Sequence, residues 1–583
     1  MKKTNNILST KYSNEMNTTL PWQEYPRPAF KRSSYLPLNG LWDFAYAKSA
    51  PSEYTQKILV PFPPESALSG IGSLHKKKEK LYYRRNFSIP DGFLEKKLML
   101  HFGAVDQCCE ILINGLAVGT HEGGYIPFSF DITDFIRGGE NEISVIVTDP
   151  LSKLYPYGKQ RKNRGGMWYT EVSGIWQTVW LESMPENSVD GIKITSNAEY
   201  AEITVKTDAK RVELTLTESG ESFVSDSGFF RIAPKNKILW SPENPHLYQF
   251  TVQTDTDRAE SYFALREIGT KKINGIPRLT LNGEPYLFNG LLDQGYFPDG
   301  IFLPATSSAY EDDILAAKSL GFNTLRKHIK IEPEIFYYLC DKLGMVVFQD
   351  MINNSDYSFI RDTAIPTVFS KKRSDKRLHK NPESRRVFLK TLEETMDLLY
   401  NHPSVLYYTI FNEGWGQFTA DEVYTKTKEL DKTRIFDATS GWFWQGLSDV
   451  DSHHIYFKKL TLDASGVRPT VISEFGGYSY RCPRHLFGKR NYGYKTFTSR
   501  ESFEDAVANL YENEVAPLVK AGISALIYTQ LSDIEDETNG FMTYDRKVMK
   551  VDTERFKKIM NNLSEASKTA KDNSAASGGT ETI

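Results

Sequence analysis

Two glutamates close apolar runs in the second half of this 583-residue chain. The segment TIFNEGWG (409–416) carries Glu413 directly behind Asn412, and VISEFGG (471–477) carries Glu474 directly ahead of Phe-Gly-Gly. If each run is a strand ending at one common rim, the two carboxyl groups face each other across an opening. One acid that protonates a departing oxygen, and a second that meets a carbon of oxocarbenium character, form the pair that cleavage of a glycosidic bond requires. A lone rim glutamate serves more often as an ion-pair anchor, so the weight rests on the pair and on the Asn and Gly-Gly beside it.

Other reactive side chains gather at comparable strand ends. In FNTLRKH (322–328), Arg326 and His328 are two apart and share a side, while Lys327 turns away. An Arg beside a carboxylate keeps it ionised, which suits a nucleophile, although a structural ion pair would use the same residue. In SHHIYF (452–457), His453 and His454 alternate, so at most one lines a pocket; Tyr456 can reach a nucleophile and the histidine a sugar hydroxyl. These residues are not spaced as a metal site.

Positioning such groups calls for parallel strands with a shared carboxyl end. Eight candidate strands follow residue 272: YLFNGLL (286–292), FNTLRKH (322–328), MVVFQDM (345–351), VLYYTIFNE (405–413), RIFDATSG (434–441), SHHIYF (452–457), TVISEF (470–475) and SALIYTQLSD (524–533). Helical patterns at 310–321, 332–344, 383–401 and 501–522 alternate with them. That grammar predicts a C-terminal (β/α)8 TIM barrel over 272–563, in which reactive groups sit at the strands' carboxyl ends. No Gly-rich phosphate loop supports an open nucleotide-binding sheet.

Ahead of the barrel the pattern is antiparallel. Runs such as KLMLHFGAV (97–105), NEISVIVTD (141–149) and GIWQTVWLE (174–182), broken by Asn-Gly and Gly-Gly, predict an N-terminal jelly-roll β-sandwich over 35–185. A second set, from AEITVKT (201–207) to AESYFALREI (259–268), predicts an immunoglobulin-like β-sandwich over 186–271. Residues 1–34 read as an N-terminal extension, and the polar, Gly/Ser-rich 564–583 as a disordered tail.

Composition excludes several partners. With 71 basic and 74 acidic residues the formal charge is −3, so there is no field for nucleic acid or an anionic membrane. No apolar run is long enough to cross a bilayer, and the Lys-bearing N-terminus lacks a signal-peptide core. Four scattered cysteines form no disulfide or zinc pattern, which points to the cytoplasm. The expected partner is a small carbohydrate, with homo-oligomer formation left open.

These motifs resemble glycoside hydrolase family 2, the group of β-galactosidases, β-glucuronidases and β-mannosidases. The likeness runs from PWQEYPRPAF (21–30) and LNGLWDFA (38–45), through NPHLYQFTV (244–252) and FALREI (263–268), into the barrel. It implies a retaining exo-β-glycosidase acting by double displacement, with Glu413 as acid/base and Glu474 as nucleophile. It also implies that Arg326 and His328 line the sugar pocket and that Tyr456 supports the nucleophile; Asn412 and His454, placed by their strand ends, are further candidates for binding the substrate. An aromatic closing strand 8, here read as Tyr528 where better-known members carry Trp, is expected to floor the glycone.

Sandwich residues are further candidates. Asp106, in GAVDQCCEILING (103–115), can reach the barrel mouth or simply cap a turn, and Trp168 and Tyr169 of the loop 159–176 can stack on an aglycone or fill the domain interface. The acidic stretch 529–546 reads as a solvated loop from which Gln530 or Asp533 reaches the pocket.

Two departures narrow the expectation. The family's Asn-x-Lys clamp for a sugar carboxylate is replaced by NYGYK, with Asn491 and Lys495 wrongly spaced, so a neutral sugar, galactoside-like, is the first choice and a glucuronide, mannoside or arabinoside the alternative. The Glu-x-His element that holds Mg2+ is replaced by QDMINN (349–354), leaving Asp350 alone, so no metal or other cofactor is expected. A non-catalytic carbohydrate-binding protein has no reason to keep both glutamates, and a barrel aldolase would need a strand-end lysine facing the pocket.

Overall fold

The computed structural model describes residues 8–365 and 374–569. A six-stranded sheet, in spatial order Gln56–Val60, Gly40–Ala47, Lys80–Ser88, Glu140–Thr148, Cys108–Ile113 and Leu116–Glu122, faces a four-stranded one of Phe128–Asp131, Lys97–Phe102, Val179–Met184 and Leu36–Pro37. Alternation builds this sandwich: along Glu140–Thr148 every second residue is buried, so Ile143, Val145 and Val147 meet Trp42, Phe44 and Leu100 in one core.

Seven strands between Gly191 and Phe263 form the second sandwich around Ile203, Leu214, Phe250 and Phe263. Its larger sheet gains Lys31–Arg32 as an outer strand, paired with Arg258–Phe263, while Leu36–Pro37 pairs with Val179–Met184 in the first sandwich. The expected strand 259–268 breaks after Phe263, and Ile268–Ile273 instead forms a hairpin with Ile276–Leu281. That hairpin's Leu279 and Leu281 join the cluster inside the barrel.

The barrel strands are β1 (Phe288–Asp293), β2 (Thr324–Lys327), β3 (Val346–Asp350), β4 (Val405–Asn412), β5 (Ile435–Ser440), β6 (Asp451–Ile455), β7 (Thr470–Gly476) and β8 (Ala525–Thr529). All pairings are parallel, in the order β5-β4-β3-β2-β1-β8-β7-β6, so a seam without a ladder separates β5 from β6. β4 is buried at every position, as a strand covered on both faces must be. Phe348 and Tyr407 stack 4.1 Å apart inside the barrel with Phe288 and Ile527.

Five connections place helices outside, α1 (Ser308–Ser319), α2 (Glu334–Leu343), α3 (Pro382–Leu399), α4 (Ala420–Leu430) and α5 (Arg500–Leu510) continuing through a π turn into α6 (Ala516–Ala521), and α7 (Thr553–Thr569) follows β8. Asn381 caps α3, accepting from the amides of Glu383 and Ser384, with Pro382 at the first position. Residues 441–450 and 456–469, on either side of β6, contain no helix. α7 corrects the expected tail: 564–569 are helical, because the apolar stripe Phe556, Met560 and Leu563 packs on the barrel and carries the helix past its last contact. The remainder of that tail lies outside the described residues. No described helix is long and apolar enough to cross a membrane.

Candidate active site

Both glutamates stand at the carboxyl rim of the barrel, and each sits where the backbone needs a neighbouring glycine. Glu413 follows β4 in a left-handed conformation (φ 51°), and Gly414 (φ 72°) continues the turn where an added Cβ would lie 2.2 Å from the Phe443 ring. Glu474 lies within β7. Gly476 behind it (φ 82°) leaves room for Tyr528, which a Cβ would meet at 2.2 Å. The Asn-Glu-Gly and Glu-Phe-Gly-Gly signals in the sequence are therefore partly steric.

One carboxylate oxygen of Glu413, one of Glu474 and a ring nitrogen of His454 all lie within 4.8 Å of one another. Arg326, fully buried on β2, ties the site together. Its NH1 donates to Glu474 Oε1 (3.1 Å) and the Ser473 carbonyl (2.9 Å), its NH2 to Asn412 Oδ1 (2.8 Å) and Ser440 Oγ (3.2 Å), and its Nε to Asp350 Oδ1 (2.9 Å). Removing one partner of such a buried ionic set costs about 3–5 kcal/mol, so Arg326 shapes the rim as well as charging it.

Tyr456 donates its hydroxyl to Glu474 Oε2 in a short hydrogen bond. Burial alone would raise the Glu474 carboxyl, but His454, Arg326, His328 and the Tyr456 hydroxyl hold it down at about 2. Arg326 is the permanently charged member of that set, so Glu474 is ionised at any neutral pH.

Glu413 has a different setting. His454 Nδ1 is 2.9 Å from Glu413 Oε1, and His454 Nε2 is 3.4 Å from Arg326 NH1. His328 donates from Nδ1 to Asp350 Oδ2 (2.7 Å); burial, aided by the nearby Lys159 charge, lowers its pKa to about 4 and leaves it neutral. Both Asp350 oxygens are thus engaged by protein donors, and a cation between Glu413, His454 and Glu474 would have to sit beside Arg326. These residues do not fit a metal.

The two glutamates open into a pocket also lined by His328, Asn412, Tyr456 and Thr529 of the barrel and by Lys159 and Met167 of the sandwich loop. Asn412 Nδ2 is buried there without a partner, a free donor beside Glu413.

Family models match the chain in order: the glycosyl hydrolases family 2 sugar binding domain over 69–185, the glycosyl hydrolases family 2 model over 187–266 and the family's TIM barrel domain over 278–465. The chain belongs to glycoside hydrolase family 2. A β-galactosidase from Thermoanaerobacter pseudethanolicus is 28% identical over 295 residues, covering 46% of this chain and 39% of that protein. The chain thus spans well under half the length of the curated relatives it matches. Among solved structures, a β-galacturonidase from Eisenbergiella tayi superposes with TM-score 0.67 at 22% identity, covering 92% of this chain and 98% of that one. A β-glucuronidase from an uncultured Clostridium superposes with TM-score 0.71 at 18% identity, covering 93% and 99%. Both share the fold.

Within this family 2 frame the structure brings together Glu413, Glu474, Asn412, Arg326, His328, His454 and Tyr456, and corrects two expectations. Tyr528 does not floor the pocket: Ile527 faces the barrel interior, so period-2 alternation turns Tyr528 outward among Phe475, Tyr511 and Phe541, and Thr529 reaches the mouth instead. Asp106 does not reach the mouth either. It is fully buried behind the pocket wall, accepts from Gln160 Nε2 (2.8 Å), and burial pushes its carboxyl well above the usual range.

The stretch 529–546 is not solvated, because the sandwich loop covers it. Glu535, Asp536 and Glu537 are buried beneath that loop; Arg164 pairs with Glu535 and Asp536, and Asp533 pairs with Lys550 at 2.5 Å. Gln530 bonds Gln294, Glu537 and Asn539, all three of which line the pocket. Trp168 stacks on Trp415 at 5.3 Å within the interface, His453 faces Trp444, and Lys495 lies over Tyr478 and Phe497, away from the glutamates. Lys159, Tyr492, Tyr494 and Glu537 were missed: loop residues with no periodicity carry no signal of which way they point.

Proposed function

We propose that this protein is a retaining exo-β-glycosidase that releases a terminal β-linked sugar by double displacement. The observation that carries the reading is the closeness of two rim carboxylates in unlike settings, with oxygens within 4.8 Å. Carboxyl groups about 5–5.5 Å apart leave no room for a water between them, which favours a covalent intermediate over direct attack by water.

Glu474, ionised beside Arg326 and steadied by Tyr456, attacks the anomeric carbon. Glu413 gives its proton to the departing oxygen and then takes one from the water that releases the sugar, while His454 holds its carboxyl in place. The free Asn412 amide is suited to a hydroxyl next to the anomeric carbon. A pocket closed by the sandwich loop on one side suits a chain end better than the interior of a polymer, which supports exo action.

The experiment is proton NMR of the first-formed sugar from a nitrophenyl β-glycoside. The β anomer should appear first. Initial appearance of the α anomer, or no turnover of any β-glycoside in a panel, overturns the reading.

A further inference from the structure

The two-glutamate chemistry leaves one cation of the pocket without a task. Lys159 enters from the sandwich loop, is only 7% exposed and lines the pocket, yet its ammonium has no hydrogen bond or ion pair with any described residue. The other buried lysines around the rim are all matched: Lys327 by Asp293 and Glu332, Lys330 by Glu332, and Lys550 by Asp533. Glu537 shares the pocket and feels the Lys159 charge, but it lies beyond ion-pair distance and one of its oxygens is occupied by Gln530 Nε2 at 2.9 Å.

The Tyr169 and Trp415 rings, 5.6 and 5.7 Å from the ammonium, flank it without supplying an anion. The pocket therefore presents an ammonium with no anion in contact, and is complementary to an occupant that brings one.

We infer that Lys159 receives a carboxylate carried by the sugar itself, so that the substrates are β-linked hexuronides. This rests on the glycosidase reading above and adds the substrate class. A neutral hexose would leave the ammonium without a contacting anion. A phosphorylated or sulfated sugar would bring a bulkier and more strongly charged group into a pocket that already holds Glu413, Glu474 and Glu537. The missing Asn-x-Lys clamp, which favoured a neutral sugar, loses its force because the charge is supplied from another domain.

The test compares 4-nitrophenyl β-D-glucuronide and β-D-galacturonide with the matching glucoside and galactoside, using the full chain and its Lys159→Gln and Lys159→Arg variants. At least one uronide should exceed its neutral counterpart in kcat/KM by about tenfold or more. Lys159→Gln should lower the uronide value about 10²-fold, the scale of a buried charge partner lost, and lower the neutral one by much less. Lys159→Arg should recover part of the loss.

Calorimetry with free glucuronic and galacturonic acids gives a second readout, and binding should vanish in Lys159→Gln protein whose unfolding temperature is unchanged. Preference for both neutral sugars, or equal losses on charged and neutral substrates, overturns the inference and leaves the glycosidase reading standing. If no glycoside is cleaved, that reading falls, and the calorimetry alone then decides whether Lys159 binds a uronate.

Discussion

His454 Nδ1 lies 2.9 Å from Glu413 Oε1, while the opposite nitrogen of the same ring lies 3.6 Å from Glu474 Oε1. One imidazole therefore touches both carboxylates, although its sequence position promised only a contact with a sugar hydroxyl. Replacing it should disturb the proton donor more than the nucleophile, since Glu474 keeps Arg326 and Tyr456. For His454→Gln, kcat/KM should fall about 10²-fold on substrates with poor leaving groups and under tenfold on dinitrophenyl glycosides. Equal losses across a leaving-group series would argue that His454 acts on Glu474 instead.

The two glutamates should fail differently. Glu474→Ala should lose nearly all turnover whatever the leaving group. Glu413→Ala should still form the glycosyl-enzyme from a dinitrophenyl substrate and then stall, a deficit of about 10²–10⁴-fold that azide relieves by giving a β-glycosyl azide. A β-azide from Glu474→Ala, with Glu413→Ala inert, would exchange the roles.

Tyr456 supplies one of the hydrogen bonds that keep Glu474 near 2. Glu474 must be ionised to attack, so the acid limb of kcat/KM should lie below the ordinary carboxylate range. Tyr456→Phe should move that limb upward and lower kcat about tenfold. A pH profile measured from acid to neutral reads both, and a limb that stays in place would mean that Arg326 alone sets the ionisation.

Glu65, buried in the sandwich, has its carboxyl pushed up to about 8 by burial, and Asp149 goes the same way to about 7. A carboxyl with a raised folded pKa holds its proton better in the native state. Its stabilising effect is complete below the unfolded value near 4.5 and is lost as pH rises through 8. The unfolding temperature should therefore fall between about pH 5 and pH 8.5. Glu65→Gln should raise it by about 2 °C at the upper end and leave it unchanged at pH 5. No pH-dependent difference between the two proteins would show that Glu65 ionises normally.

The barrel and its reactive rim were legible because both follow local rules. Period-2 alternation placed Arg326 and His328 together and allowed only one of His453 and His454 to line a pocket, and the residues closing β4 and β7 had to be rim residues. Tyr528 was misplaced by one position, which in a strand means the opposite face. Lys159, Glu537 and the turned-in Asp106 depend on how the sandwich meets the barrel. That contact joins residues hundreds of positions apart, such as Thr170 with Glu535, and no periodicity records it.

The pairing of Lys31–Arg32 with Arg258–Phe263 has a consequence during synthesis. The chain leaves the ribosome N-terminus first, so the outer strand of the second sandwich is translated long before its neighbour exists. Until residue 263 has emerged, Lys31–Arg32 must wait unpaired, even though Leu36–Pro37 a few residues later can already dock once Val179–Met184 is made. The loop bearing Lys159 waits longer still, for the segment after β8 that it covers. The pocket is thus among the last parts of the nascent protein to take shape, and a chain terminated ahead of the barrel would display two sandwiches with no rim for that loop to cover.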